Sequence, residues 1–227
     1  FSEEKKKGVY EAIYKRRDIR NFKDTPVPEE TLMKILDAAH HAPSVGYSQP
    51  WNFIVIKDIE TRKKIKASFN LQKKEAGEFF EGERKEKYDS FKLEGILDSP
   101  INICITCDRQ RFGPYIIGKH SILETDLYSV VCAVQNMWLA ARAEGIGVGW
   151  VSILKNEEIH QALKIPQDII PVAYLCIGYP KEFSEIPLLE KEKWAPRIGL
   201  EDIVHYEQWE EEKNNSLQLD QEHELIA

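Results

Sequence analysis

The chain has 227 residues, 42% of them hydrophobic, which suits one large domain or two small ones with a proper core. Its formal charge of -7 comes mostly from residues 207–227, where seven acids face one lysine, so the body is close to neutral. That balance argues against a nucleic-acid surface or a lysine-rich membrane-binding helix, and no apolar run approaches the roughly 20 residues that cross a bilayer. Small molecules are therefore the expected partners, with no nucleic acid and no membrane. The charged start is unlike a signal peptide, so a cytoplasmic location is expected, although a leader removed before Phe1 stays open.

Residues 2–16 read as a helix, with Val9 and Ile13 four apart. It delivers Arg16-Arg17-Asp18-Ile19-Arg20, three guanidinium groups within five residues. The planar fork of Arg matches phosphate oxygens, so the run suits a phosphomonoester. The plainer alternative is a basic helix end with Asp18 as local counter-ion. Thr25-Pro26-Val27-Pro28 forces an extended linker. In 28–42, Leu32, Ile35, Leu36 and Ala39 form a helical stripe, which Pro43 stops. A loop of small and turn residues, 42–50, leads to an apolar strand at 51–56.

Residues 61–98 are charged and largely helical, interrupted at Gly77 and Gly82, and read as a mobile cover over the active site. A buried strand at 101–107 and a loop at 108–121 follow. The helix from Asp126 to Gly145 keeps Leu127, Val130, Val131, Val134, Trp138 and Ala141 in register, as in a central helix packed on several sides. Strands at 147–153 and 171–177 flank a short helix at 156–163. Strands alternating with helices in this way give an α/β or α+β sheet domain. The Pro-broken segment 184–209 is expected to wrap a partner subunit, completing a single domain over 1–209. Residues 210–227, polar and acidic, read as a disordered tail.

Cys104 and Cys107 spell C-x-x-C, but inside a strand residues three apart face opposite ways, so buried reduced thiols are expected, as for Cys132 and Cys176. Gly145-Ile146-Gly147-Val148-Gly149 follows a helix and opens a strand, the reverse of a dinucleotide fingerprint. A helix-to-strand turn is the plain reading. Bare backbone at Gly147 and Gly149, with Ser152 nearby, would also admit a flat ligand. The six His residues lack H-x-x-x-H spacing, so no metal is expected.

Taken together, Arg16-Arg17-x-x-Arg20, Ala42-Pro43-Ser44, Gln49-Pro50-Trp51-Asn52-Phe53, the central helix and Gly145-x-Gly147-x-Gly149-Trp150 resemble the flavin-dependent nitroreductase family. The resemblance covers most of residues 8–206. It implies an α+β fold, a nitroreductase-like α/β sandwich with a central mixed sheet flanked by helices. It also implies an obligate homodimer with exchanged termini, formed through the central helix, with FMN at the interface. By that likeness Arg16, Arg17, Asp18, Ile19 and Arg20 hold the FMN phosphate and ribityl chain, and Pro43, Ser44 and Val45 line the ring. Leu93 and Arg197 are further contacts by the same likeness.

Ordinary members carry a small hydroxyl residue at the third position of the arginine motif, where this chain has Asp18. With Cys107-Asp108-Arg109, Asp126-Leu127-Tyr128-Ser129 and Gly149-Trp150-Val151-Ser152, this resembles a flavin-consuming branch. That branch uses dioxygen to fragment reduced FMN, received from a separate NAD(P)H-flavin reductase, into the lower ligand of vitamin B12 and erythrose 4-phosphate. The likeness makes Asp18 and Ser152 the catalytic pair. The alternative within the family is an NAD(P)H-dependent nitroreductase or dehalogenase that recycles FMN.

Overall fold

In the computed structural model, which describes residues 1–211, Ser2 caps α1 (Glu3–Lys15) by accepting from the Lys5 N–H, and Glu3 and Glu4 sit at its positive pole. An extended stretch carrying the arginines leads to α2 (Glu29–His40) and a 3₁₀ turn at Val45–Tyr47. Strand β1 (Trp51–Ile56) is followed by α3 (Ile59–Gly77), α4 (Gly82–Ser90) and β2 (Ile101–Asp108). Then come α5 (Thr125–Ala143), β3 (Gly147–Val151), α6 (Asn156–Leu163) and β4 (Ile169–Gly178). The chain divides into two compact units, Phe1–Glu185 and Ile186–Ala227. In the described part of the second unit, α7 (Leu188–Lys191) and α8 (Leu200–Ile203) begin after Pro187 and Gly199. The acidic stretch expected at 210–227 lies almost wholly outside the described residues.

The sheet order is β1-β2-β4-β3. Among the described residues all three strand pairings are antiparallel, where a mixed sheet was expected, and one parallel bridge joins Asp18 to Val148. Period-two alternation in β2 splits the core. Ile103, Ile105 and Cys107 join Leu32, Ile35, Val134 and Met137 under α2 and α5. Cys104, on the opposite face, joins Ile65, Phe69 and Ile159 under α3 and α6. The C-x-x-C pair is thus divided between two cores, and burial pushes each thiol up to about 12. Among the described residues no helix is long and apolar enough to cross a membrane.

Within segment 61–98, α3 packs Ile65 and Phe69 into the core at 1% and 2% exposure. The α5 stripe is occupied within its own chain: Val130, Val134, Trp138 and Ala141 are buried, and Tyr128, Val131 and Cys132 are left exposed. Helical period shows that a face is apolar but not what covers it. Cys132 therefore breaks the expectation of four buried thiols.

Candidate functional site

The arginine run begins where α1 ends. Arg16 leaves the helix in extended conformation, its N–H still bonded to the Ala12 carbonyl. From Ile19 onward the chain is stitched to the sheet edge. The Ile19 N–H donates to the Val148 carbonyl (2.9 Å), Lys23 N–H to the Tyr179 carbonyl (2.8 Å), and Lys181 N–H to the Asn21 carbonyl (3.0 Å). The glycines of β3 make this possible. A Cβ at Gly149 would overlap the Ile19 carbonyl oxygen, and one at Gly147 would lie 2.8 Å from Ile19 Cγ1. The bare backbone read as room for a flat ligand is filled by the arginine segment itself.

The charged side chains separate into distinct roles. Asp18 accepts the Trp150 N–H (2.9 Å) and takes both terminal nitrogens of Arg20 in a bidentate pair. Arg17 turns back on the chain, donating to the carbonyls of Tyr14 (2.8 Å), Arg16 (2.7 Å) and Glu185. Trp138 on α5 organises the rest: its indole N–H donates to the Arg17 carbonyl (3.2 Å), and the Arg16 guanidinium lies 4.8 Å over its ring. Trp150 packs on Trp138 with ring centroids 6.3 Å apart. Arg17 Nε and Arg20 Nε are buried with no hydrogen-bond partner among the described residues. Two orphaned cationic donors beside Arg16, whose guanidinium stacks on an indole face, suit an anionic group such as a phosphate ester.

Ser152 is exposed just beyond β3, two residues past the Trp150 whose N–H donates to Asp18. Ser152, Trp150 and Tyr174 line a depression of about 210 Å³. Leu93 packs against the α3/α6 core, and Gly95 lies close under the Arg20 carbonyl and the Phe22 ring. Arg197 belongs to the second unit, exposed between α7 and α8.

Pro43, Ser44 and Val45 form a separate locus. The Val45 N–H donates to Ser129 Oγ (3.0 Å), which in turn donates to the Thr125 carbonyl (2.6 Å). Ser129 and Trp138 are nine residues apart on α5, about 13 Å along its axis. The ring-lining loop and the arginine motif therefore attach to different ends of one helix. Near the first end, buried Asp126 takes Arg109 (2.9 Å), Lys119 (3.0 Å) and the Leu127 N–H (2.8 Å). Burial pushes the Asp126 carboxyl up, and these hydrogen bonds outweigh it, holding the group below the usual carboxylate range. The sequence singles out neither Ser129 nor Trp138 for a role of its own. Their spacing on the buried face of a long helix is the signal that could have found them.

A family model described as "Nitroreductase family" matches residues 13–179. The chain belongs to the nitroreductase family. A relative from Rhodospirillum rubrum named 5,6-dimethylbenzimidazole synthase is 42% identical over 182 residues, 80% of this chain and 86% of the relative. A second of that name, from Rhodobacter capsulatus, is 32% identical over 201 residues, 88% of this chain and 97% of the relative. The solved structure of oxidized iodotyrosine deiodinase bound to FMN and 3-iodo-L-tyrosine superposes with a TM-score of 0.70 at 24% identity. It covers 88% of this chain and all of that one, a likeness of fold. The family and the α+β fold expected from the motifs thus hold.

Proposed function

We propose that the chain is an enzyme that fragments reduced FMN with dioxygen to yield 5,6-dimethylbenzimidazole, the product in the names of its relatives, and D-erythrose 4-phosphate. The observation that carries this reading is Asp18, a carboxylate held in place by Arg20 and the Trp150 N–H at the heart of an anion-binding motif. Bound reduced FMN would supply an electron-rich ring that reacts with dioxygen. Arg16, with the free Nε groups of Arg17 and Arg20, would take the phosphate and ribityl chain. The backbone of Ile19, pinned to β3, would fix the depth of that grip. Asp18 would move protons at the ribityl end of the ring, with the Ser152 hydroxyl as the second polar group. Pro43, Ser44 and Val45 would line the ring, with Leu93 and Arg197 completing the binding residues.

A homodimer belongs to the same proposal. Val9, Tyr10, Ile13 and Tyr14 of α1 and Tyr128 and Val131 of α5, all exposed in one chain, are the apolar surface a second copy would cover. Because the ring-lining loop and the arginines sit about 13 Å apart along α5, two copies packed through that helix would bring one chain's loop to the other's arginines. A separate NAD(P)H-flavin reductase would deliver the reduced flavin.

The deciding experiment loads the protein with reduced FMN under anaerobic conditions, admits air, and analyses the products of one turnover. Dimethylbenzimidazole is the expected product. Quantitative return of intact FMN would instead support the second reading, a nitroreductase or dehalogenase that recycles the flavin. One observation favours that reading: the bidentate Arg20 pair is what a mere counter-ion at position 18 would make.

Arg16→Ala should weaken FMN by about 10- to 100-fold while barely affecting riboflavin, since it removes a charge-assisted phosphate contact worth about 1.5–3 kcal/mol. Fluorescence titration of the two flavins checks this. Equal losses would place the phosphate elsewhere.

A further inference from the structure

The loop that carries Ser44 and Val45 is held in an unusual shape. Gly46, Tyr47 and Gln49 all have left-handed backbone, with φ of 51°, 56° and 44°. Gly46 suits that region, and its missing side chain is also needed because a Cβ would lie 2.5 Å from Ile116 Cγ2. Tyr47 and Gln49 do not suit it, and two such residues persist only where surrounding contacts over-determine them. At the near end the contact is Ser129 Oγ on the Val45 N–H. Inside the loop, Ser44 Oγ accepts the Gln49 N–H at 3.0 Å.

At the far end one side chain makes the fastening. Arg111, on the turn after β2, donates from one terminal nitrogen to the carbonyls of Gln49 (2.7 Å) and Trp51 (2.9 Å). Its other terminal nitrogen donates to Asn52 Oδ1 (2.5 Å), and its Nε lies 3.7 Å from Asp108. The guanidinium fork is thus occupied by acceptors of the protein. Arg111 acts through the loop and not by touching a ligand.

We propose that Arg111 is a positioning residue that holds the Ser44–Gln49 loop in its left-handed shape and thereby presets the surface the flavin ring meets. The inference rests on the flavin reading for its consequence, but the clamp itself is readable without flavin. The Tyr47, Ser48 and Gln49 amides are hydrogen-bonded within the loop, to the Ser44 carbonyl, the Val45 carbonyl and Ser44 Oγ, so their exchange with solvent reports whether the loop holds.

The test compares wild type, Arg111→Met and Arg111→Lys, with circular dichroism confirming that each is folded. In flavin-free protein, Arg111→Met should speed exchange at these three amides by at least about tenfold, the effect of losing one charge-assisted hydrogen bond. Amides of α2 and β2 should be unchanged. Arg111→Lys, which keeps one donor but not the fork, should fall between. With FMN, Arg111→Met should lower affinity for FMN and riboflavin by the same factor and alter the absorption envelope of the bound ring, since the phosphate grip is untouched. Unchanged amide exchange overturns the clamp. Faster exchange with unaltered flavin affinity and spectrum overturns its role in the site. If wild type itself binds neither flavin, the flavin reading fails and the exchange result alone decides whether Arg111 holds the loop.

Discussion

Gly149→Ala is expected to weaken FMN binding by well over an order of magnitude, although the added methyl group points at no ligand. Its Cβ would overlap the Ile19 carbonyl oxygen, a backbone atom that gives way only if the whole arginine segment lifts off β3. Lifting breaks the Ile19–Val148 hydrogen bond and the charge-assisted bond from Trp150 N–H to Asp18, together about 2–4 kcal/mol. It also misplaces Arg20, whose Nη1 would lie 3.1 Å from the new methyl. An affinity loss of roughly 30- to 1,000-fold follows from those energies. Isothermal titration with FMN reads it, and near-ultraviolet circular dichroism reads the Trp138–Trp150 pair. Gly8→Ala is the control: nothing lies within 4 Å of its Cβ, and as a mid-helix replacement it should stabilise the protein by about 0.5–1 kcal/mol. If Gly149→Ala binds FMN normally, the segment is not held on β3 as described.

The same glycines mark where sequence stopped short of the site. Gly147 and Gly149 were legible as places of close backbone approach, because a bare strand edge has few other uses. What approaches them was not legible, since Ile19 lies about 130 residues earlier and only the fold brings its N–H to the Val148 carbonyl. The division of Cys104 from Cys107 was legible, because a period of two decides it without knowledge of partners. Helix ends marked by breakers were legible too: α5 stops ahead of Gly145, at φ 71°, and α6 spans the residues the pattern gives. The α5 stripe shows the opposite case. Its period was correct, but a period does not say which neighbour covers each position, and Val130 and Val134 turn out to pack on α2 and the sheet of their own chain. Arg111 left no trace, as one arginine in a polar loop has no pattern to stand out from.

Asp18→Asn separates the two uses of the carboxylate. In the wild type one oxygen accepts both the Trp150 N–H and an Arg20 nitrogen, and the other accepts the second Arg20 nitrogen. An Asn amide can keep its oxygen on Trp150, but its NH₂ then faces the guanidinium, donor against donor. Arg20 loses one of its two bonds to the side chain and the full counter-charge of the carboxylate, so its guanidinium adds more to the anion site. The variant should therefore bind FMN at least as tightly as wild type. A proton-transfer role predicts a second result. Removing the basic group costs about 10²- to 10⁴-fold in the step it serves, so air should convert the reduced-flavin complex to intact FMN and hydrogen peroxide with almost no dimethylbenzimidazole. A counter-ion role predicts the tighter binding with product formed at the wild-type rate. Tighter binding without product assigns the carboxylate to chemistry, because a binding defect has been removed as an explanation; product at the wild-type rate leaves Asp18 as the partner of Arg20 and nothing more.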